Sequence, residues 1–378
     1  IYQLAEAYIS RKEKETGEII SYEKRFNELQ KVKMFIADRN VYGIDLNPVA
    51  VELAEVSLWL NTIYEGGFVP WFGTQLVNGN SLIGARRQVY PESSLITTSK
   101  GLRWYENSPE RVPLGTERKK KTGYSQIYHF LLGDSGMCSY TDKVIKGLEP
   151  NNIKKMKNWN KKFIAPYSDD EVVTLLRLSA AIDELWEAQI QLRKEVGTKT
   201  QDALSIFGYT DDAEDSHTTI RQKDKIFSEL YKSEHMRNAG PYARLKFAMD
   251  YWCALWFWPI DKADLLPTRS EFLFDMSLIL EGTMASVNVT DTVKGGQMSL
   301  FPTEIEQMAM DIIDTYGTDT IVDVPRLRRE NPRLDLAARI AEQNKFMHWE
   351  LEFADLFAER GGFAGIAFIE TILLVFGV

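Results

Sequence analysis

The stretch Tyr42-Gly43-Ile44-Asp45-Leu46-Asn47-Pro48 constrains this chain more than any other. A short apolar run from Val41 ends in an acid, Asn47 then offers an oxygen to cap a helix, and Pro48 carries the fixed φ that suits a first helical position. A strand that ends in Asp and turns at once into a helix is half of a βαβ unit, so an α/β fold is expected. The helix after Pro48 is expected to bury Val49, Leu53, Val56 and Leu60. In an open parallel sheet, an acid at the carboxyl end of such a strand lies where a nucleotide ribose sits, and its two oxygens can accept from both hydroxyls. On spacing alone, Asp45 serves equally well as a turn or cap residue ahead of the helix.

The remaining periodicity is mostly helical. Residues 1–33 read as helix, charged turn around Gly17, helix, and Leu76 to Gly84 resumes with a strand-like start and a turn. From Ala85 to about Tyr167 no regular period survives. Helical spacing returns at Glu171–Val196, Arg221–Met236, the apolar and aromatic Tyr242–Trp258, and Asp335–Asn344. With βα elements at both ends and a helical middle, the expected architecture is a partial Rossmann-like core interrupted by a long, mostly α-helical insertion.

Composition enters through charge. The 378 residues are 44% hydrophobic and 26% charged, which excludes collagen-like, disordered and small disulfide-stapled proteins. The net charge of -9 argues against a chain that coats nucleic acid with its whole surface. Yet residues 111–162 hold twelve basic against four acidic side chains, a net +8 that leaves -17 for the rest. Lys154, Lys155, Lys157, Lys161 and Lys162 cluster there with Trp159 and Phe163, and Tyr124 and Tyr128 lie upstream. This is the composition of a phosphate-contacting surface with stacking aromatics, or else of a solvated lysine face.

Two distant cysteines, Cys138 and Cys253, and four scattered histidines offer no zinc spacing, so no metal is expected and a reducing cytoplasm is. The longest apolar run, Phe363 to Val378, is interrupted by Glu370, and no membrane anchor or export signal is expected.

Three ordered segments carry a family resemblance. They are Val41-Tyr42-Gly43-Ile44-Asp45-Leu46-Asn47-Pro48-Val49-Ala50-Val51-Glu52-Leu53-Ala54, then Ser57-Leu58-Trp59-Leu60, then Asn78-Gly79-Asn80-Ser81-Leu82-Ile83-Gly84. Together they resemble the large bacterial adenine-N6 DNA methyltransferases, including type IIG restriction-modification enzymes and the methylases of DISARM-like phage-defence islands. The resemblance returns at Phe346-Met347-His348-Trp349-Glu350-Leu351-Glu352-Phe353-Ala354 and Gly361-Gly362-Phe363, which in that family lead into the catalytic strand. Tyr251 to Pro259 is similar to larger members as well.

The resemblance implies S-adenosylmethionine as cofactor, with Asp45 on its ribose, Leu46 packing on the adenine ring, Asn80 facing the adenine edge, and Ser81 and Leu82 flanking the pocket. It also implies double-stranded DNA as substrate, with the target adenine flipped out and methylated on its amino nitrogen by direct displacement. The family's Gly-rich loop is missing, for the chain has no G-x-G, and so is its [ND]-P-P-[YFW], for it has no Pro-Pro. No catalytic residue is therefore assigned. A first residue Ile1 and an end short of the fourth motif lead to the expectation of a piece of a longer polypeptide, inactive alone.

The expected organisation is a partial cofactor-binding methyltransferase core over 1–84, a basic then helical insertion over 85–283, a linker over 284–303, and a return to the core over 304–378. In the linker, Gln297-Met298-Ser299-Leu300-Phe301 resembles the peptide by which bacterial DNA enzymes dock on the sliding clamp, unless its apolar side chains fold back onto their own domain. The rival to the enzyme is a non-catalytic DNA-binding or assembly subunit of such a system.

Overall fold

The computed structural model describes residues 1–96, 103–114, 126–210, 218–282, 323–369 and 372–377. They form a mixed α/β structure dominated by helices, divided into two compact units. One comprises Ile1–Leu82, Ile190–Ser233 and Phe353–Val378; the other comprises Ile83–Gln189 and Glu234–Glu352. Among the described residues the strands are β1 (Val41–Asp45), β2 (Leu76–Asn78), β3 (Gln88–Pro91), β4 (Glu110–Arg111), β5 (Gln126–Tyr128), β6 (Phe363–Ile369) and β7 (Ile372–Gly377).

The first unit opens with α1 (Tyr2–Thr16) and α2 (Tyr22–Asn40). Helix α1 stops at Gly17, whose φ of 74° is open to a residue without a Cβ. Ala5 and Ile9 of α1 pack with Leu29, Val32 and Met34 of α2 and with Leu204 and Ile206. Next come β1 and α3 (Pro48–Thr62). The local code at α3 operates as read: the Asn47 side chain accepts from the Val49 N–H at 3.1 Å, and Pro48 occupies the first turn.

Which face α3 buries is a different matter. Ala54, Leu58 and Thr62 are buried, whereas Val49, Leu53, Val56 and Leu60 are 55%, 61%, 48% and 58% exposed, the reverse of the expectation. The helix is apolar on both sides, so periodicity could not choose. Ala54 and Leu58 join Ala37, Val41, Phe72 and Leu76 in one cluster, and that packing makes the choice.

Strand β1 pairs in parallel with β2, with Asp45 opposite Asn78. The four-stranded sheet has the order β2-β1-β7-β6, and β7 runs antiparallel to both of its neighbours. A doubly wound core has parallel neighbours at its centre, so the expected sheet is found only at the β1–β2 pair. Chain length explains the difference. Two residues separate Ile369 from Ile372, and a parallel crossover needs a dozen or more, so β6 and β7 must form a hairpin.

The second unit contains the antiparallel sheet β4-β3-β5 and the helices Pro150–Phe163, Pro241–Ala254, Arg269–Leu280 and Pro332–Asn344. Helix Asp169–Thr200 contributes its residues through Gln189. Helix Pro241–Ala254 is buried along Leu245, Phe247, Ala248, Met249 and Tyr251. Buried Asp275 is held by Arg333 Nε at 2.9 Å and by the Tyr251 hydroxyl at 2.8 Å. The segment read as irregular, 85 to 167, in fact carries β3 to β5 and two helices, Lys143–Leu148 and Pro150–Phe163. Among the described residues no helix is long and apolar enough to cross a membrane.

Candidate functional site

Asp45 closes β1 and is 6% exposed. Its Oδ1 accepts from the Asn47 backbone N–H at 2.6 Å, which is the turn role open to it from sequence. Its Oδ2 is buried and accepts no hydrogen bond. Burying an unmatched carboxylate oxygen costs on the order of 1–3 kcal/mol, so this atom is an acceptor waiting for a donor. The turn reading of Asp45 is thus met by Oδ1 alone, and Oδ2 takes no part in it.

The surrounding backbone is pinned. Asn78 Nδ2 donates to the carbonyls of Asp45 and Leu46 at 2.9 and 3.0 Å, and the Gly79 N–H also donates to Asp45 O, at 3.0 Å. Asn78 is a positioning residue that the sequence reading did not single out, although it opens the Asn78-to-Gly84 motif. Asn80, Ser81 and Leu82 follow directly. Asn80 is half-buried; its Oδ1 accepts from the Leu82 N–H at 3.1 Å, and its amide nitrogen donates to none of the described residues. Ser81 is half-buried, while Leu46 and Leu82 are 54% and 91% exposed. The five residues singled out from sequence therefore lie at or just beyond the carboxyl ends of β1 and β2, and they bring together a buried acceptor, an amide donor and two exposed apolar side chains.

Within the second unit, two distant motif segments meet. The Met347 N–H donates to Ile83 O at 2.9 Å, and the Ala85 N–H donates to His348 Nδ1 at 2.9 Å. With Nδ1 an acceptor, the proton of the buried His348 sits on Nε2, which donates to Asp250 Oδ1 at 2.9 Å. Lys246 Nζ reaches both Asp250 oxygens at 3.0 and 2.8 Å. Burial pushes the Asp250 pKa up, but Lys246 and the His348 hydrogen bond more than offset it and hold the carboxyl below its ordinary range. This Lys246-Asp250-His348 chain ends on a backbone N–H and anchors the two segments to each other.

The lysines Lys154, Lys155, Lys157, Lys161 and Lys162 all stand exposed on helix Pro150–Phe163. The same helix buries Met156 and Phe163, and Phe163 stacks on Trp159 with ring centroids 4.6 Å apart. Tyr128 is buried as well. Trp159, Phe163 and Tyr128 are thus engaged in packing, and Tyr124 lies outside the described residues. Lys155 pairs with Asp264 at 2.8 Å, an exposed pair worth at most about 1 kcal/mol. The peptide Gln297, Met298, Ser299, Leu300 and Phe301 lies outside the described residues, as do Glu117 to Tyr124.

No group of three or more His, Cys, Asp or Glu side chains is arranged to hold a metal ion among the described residues. Both cysteines are buried and free, and burial pushes the Cys138 thiol up to about 12. No protein-family model matches this sequence, and no curated protein and no solved structure matches it either.

Proposed function

We propose that this chain is part of a site-specific DNA adenine-N6 methyltransferase of bacterial restriction-modification or phage defence, and that its first unit takes up S-adenosylmethionine at the carboxyl ends of β1 and β2. The observation that carries the reading is the buried, unmatched Asp45 Oδ2, which fits a ribose hydroxyl. Leu46 and Leu82 offer apolar faces suited to an adenine ring, and Asn80 keeps an amide nitrogen for the ring edge. When bound, S-adenosylmethionine supplies a methyl group on a sulfonium. Asp45 would orient the ribose, and Asn47 and Asn78 hold Asp45 in place for that. Because the sequence has neither G-x-G nor Pro-Pro, this chain is assigned cofactor binding and not the transfer step.

Calorimetric titration of S-adenosylmethionine into the protein tests this. The wild type should bind saturably, and Asp45→Ala should lose about 10- to 100-fold in affinity, because hydrogen bonds to a charged acceptor are worth roughly 1.5–3 kcal/mol each. Unchanged affinity in a folded Asp45→Ala variant removes Asp45 from the site. Wild-type protein that shows no saturable binding removes the cofactor altogether.

The lysine face favours double-stranded DNA as partner, and with it a second reading, a non-catalytic DNA-binding subunit. Replacing Lys154, Lys155, Lys157, Lys161 and Lys162 with Gln should weaken all duplexes alike. It should also flatten the logarithmic dependence of affinity on salt by about 0.9 per lost phosphate contact. An unchanged slope leaves these residues a solvated face. Steep salt dependence in a protein that takes no S-adenosylmethionine selects the second reading.

A further inference from the structure

The first unit also holds a cavity of about 550 Å³, within the size range of small-molecule sites. Asn40 and Tyr42 line it at the start of β1, so it lies at the opposite end of that strand from Asp45. Two buried acceptors face it. The Asp38 side chain is 7% exposed and accepts no hydrogen bond from the described residues; its nearest cation is Arg39 Nε, at 4.0 Å. Gln75, 5% exposed, spends its amide nitrogen on the carbonyls of Ala37 and Val41 at 3.0 and 2.8 Å. Both of those partners are acceptors, which fixes the amide orientation and leaves Oε1 without a donor.

Aromatic rings form part of the otherwise polar wall. Phe35 and Tyr209 meet edge to face at 5.4 Å, and Trp71, its indole N–H held by Asp224 at 2.8 Å, contributes a third ring. At the solvent edge stand Lys194, 38% exposed and paired with Glu359 at 3.5 Å, and the exposed Arg360, which pairs with no described carboxylate.

Aromatic rings suit a flat heterocycle, exposed cations suit a phosphate, and two acceptors that no described donor reaches, the nearest cation being Arg39 at 4.0 Å from Asp38, suit a ring edge made of donors. Guanine presents such an edge in N1–H and N2–H₂, whereas adenine sets the N1 acceptor beside its amino group and would meet Asp38 with a repulsive lone pair. We propose that this cavity is a guanine-nucleotide site, with the base edge on Asp38 and Gln75 and the phosphate toward Lys194 and Arg360. The proposal does not depend on the role of Asp45.

Burial raises the Asp38 pKa to about 6, with Lys223 opposing, Asp202 adding to the shift and Arg39 opposing. A carboxylate that must accept two hydrogen bonds then makes affinity for guanosine fall about tenfold per pH unit below that value. The test is calorimetric titration of the full chain with GMP, guanosine and AMP. Expected are saturable GMP binding with AMP at least tenfold weaker, and a loss of tenfold or more in Asp38→Asn. Arg360→Ala, an exposed change that leaves the fold untouched, should weaken GMP several-fold and spare guanosine. Absence of saturable GMP binding, equal binding of AMP, or equal effects of Arg360→Ala on GMP and guanosine would overturn the assignment.

Discussion

Replacing Lys223 with Met should lower the unfolding free energy by about 3–5 kcal/mol, the usual cost of leaving one member of a buried ion pair alone. Lys223 and Asp202 form an ion pair in which each side chain is 1% exposed. The Asp202 carboxylate also accepts from the Thr218 N–H at 3.2 Å, a contact that cannot neutralise a charge. Methionine keeps the length and most of the volume of lysine, so the loss isolates the charge. A urea denaturation midpoint measures it. The paired variant Lys223→Met with Asp202→Leu should recover most of the stability, because a buried ion pair and an apolar pair of similar volume are close in free energy. A single variant that loses less than about 1 kcal/mol would show that water reaches the pair. Lys223 also opposes the upward shift of Asp38, so its removal should carry the Asp38 pKa higher still.

The second large effect is expected at Gly84. A Cβ there would stand 1.9 Å from the Met347 carbonyl oxygen and 2.8 Å from its carbon. Both are backbone atoms, so no rotamer change relieves the clash. Gly84→Ala must separate the two segments, and the hydrogen bonds from Met347 N to Ile83 O and from Ala85 N to His348 Nδ1 go with them. Two donors left unmatched at about 1–3 kcal/mol each put the loss at roughly 2–6 kcal/mol. Amide exchange should accelerate at Ala85 and Met347 ahead of the rest of the unit. Gly147 provides the control: a Cβ there would meet nothing within 4 Å, and alanine in that helix should gain a few tenths of a kcal/mol to about 1 kcal/mol. Equal stability of Gly84→Ala and wild type would mean that the two segments do not pack as described.

Both cases show where sequence reasoning stops. Gly84 stood inside a recognised motif, yet nothing in Asn78 to Gly84 says that the residue pressing on it is Met347. Asp38 and Gln75 carry no signal at all, since one lies in the last turn of a helix and the other precedes a three-residue strand. The lysine helix was legible in principle. Pro150 sits at its first turn, and Met156, Trp159 and Phe163 follow at steps of three and four; the density of lysines hid that period.

What the sequence by itself determined is local. Asn47, Pro48 and the apolar run from Val41 act on backbone groups within a few residues, so they specify the strand, the turn and the start of α3 wherever the segment is placed. The two residues between Ile369 and Ile372 likewise compel a hairpin. Only the tertiary structure decided which face of α3 is buried, that β7 stands beside β1, that Asp45 Oδ2 is shut away from water with no donor to match, and that Asp38 faces a cavity with no described donor on it. Burial depends on side chains brought in from remote parts of the chain, such as Leu76 against Ala54 or Asp202 toward Asp38, and no spacing rule reaches that far.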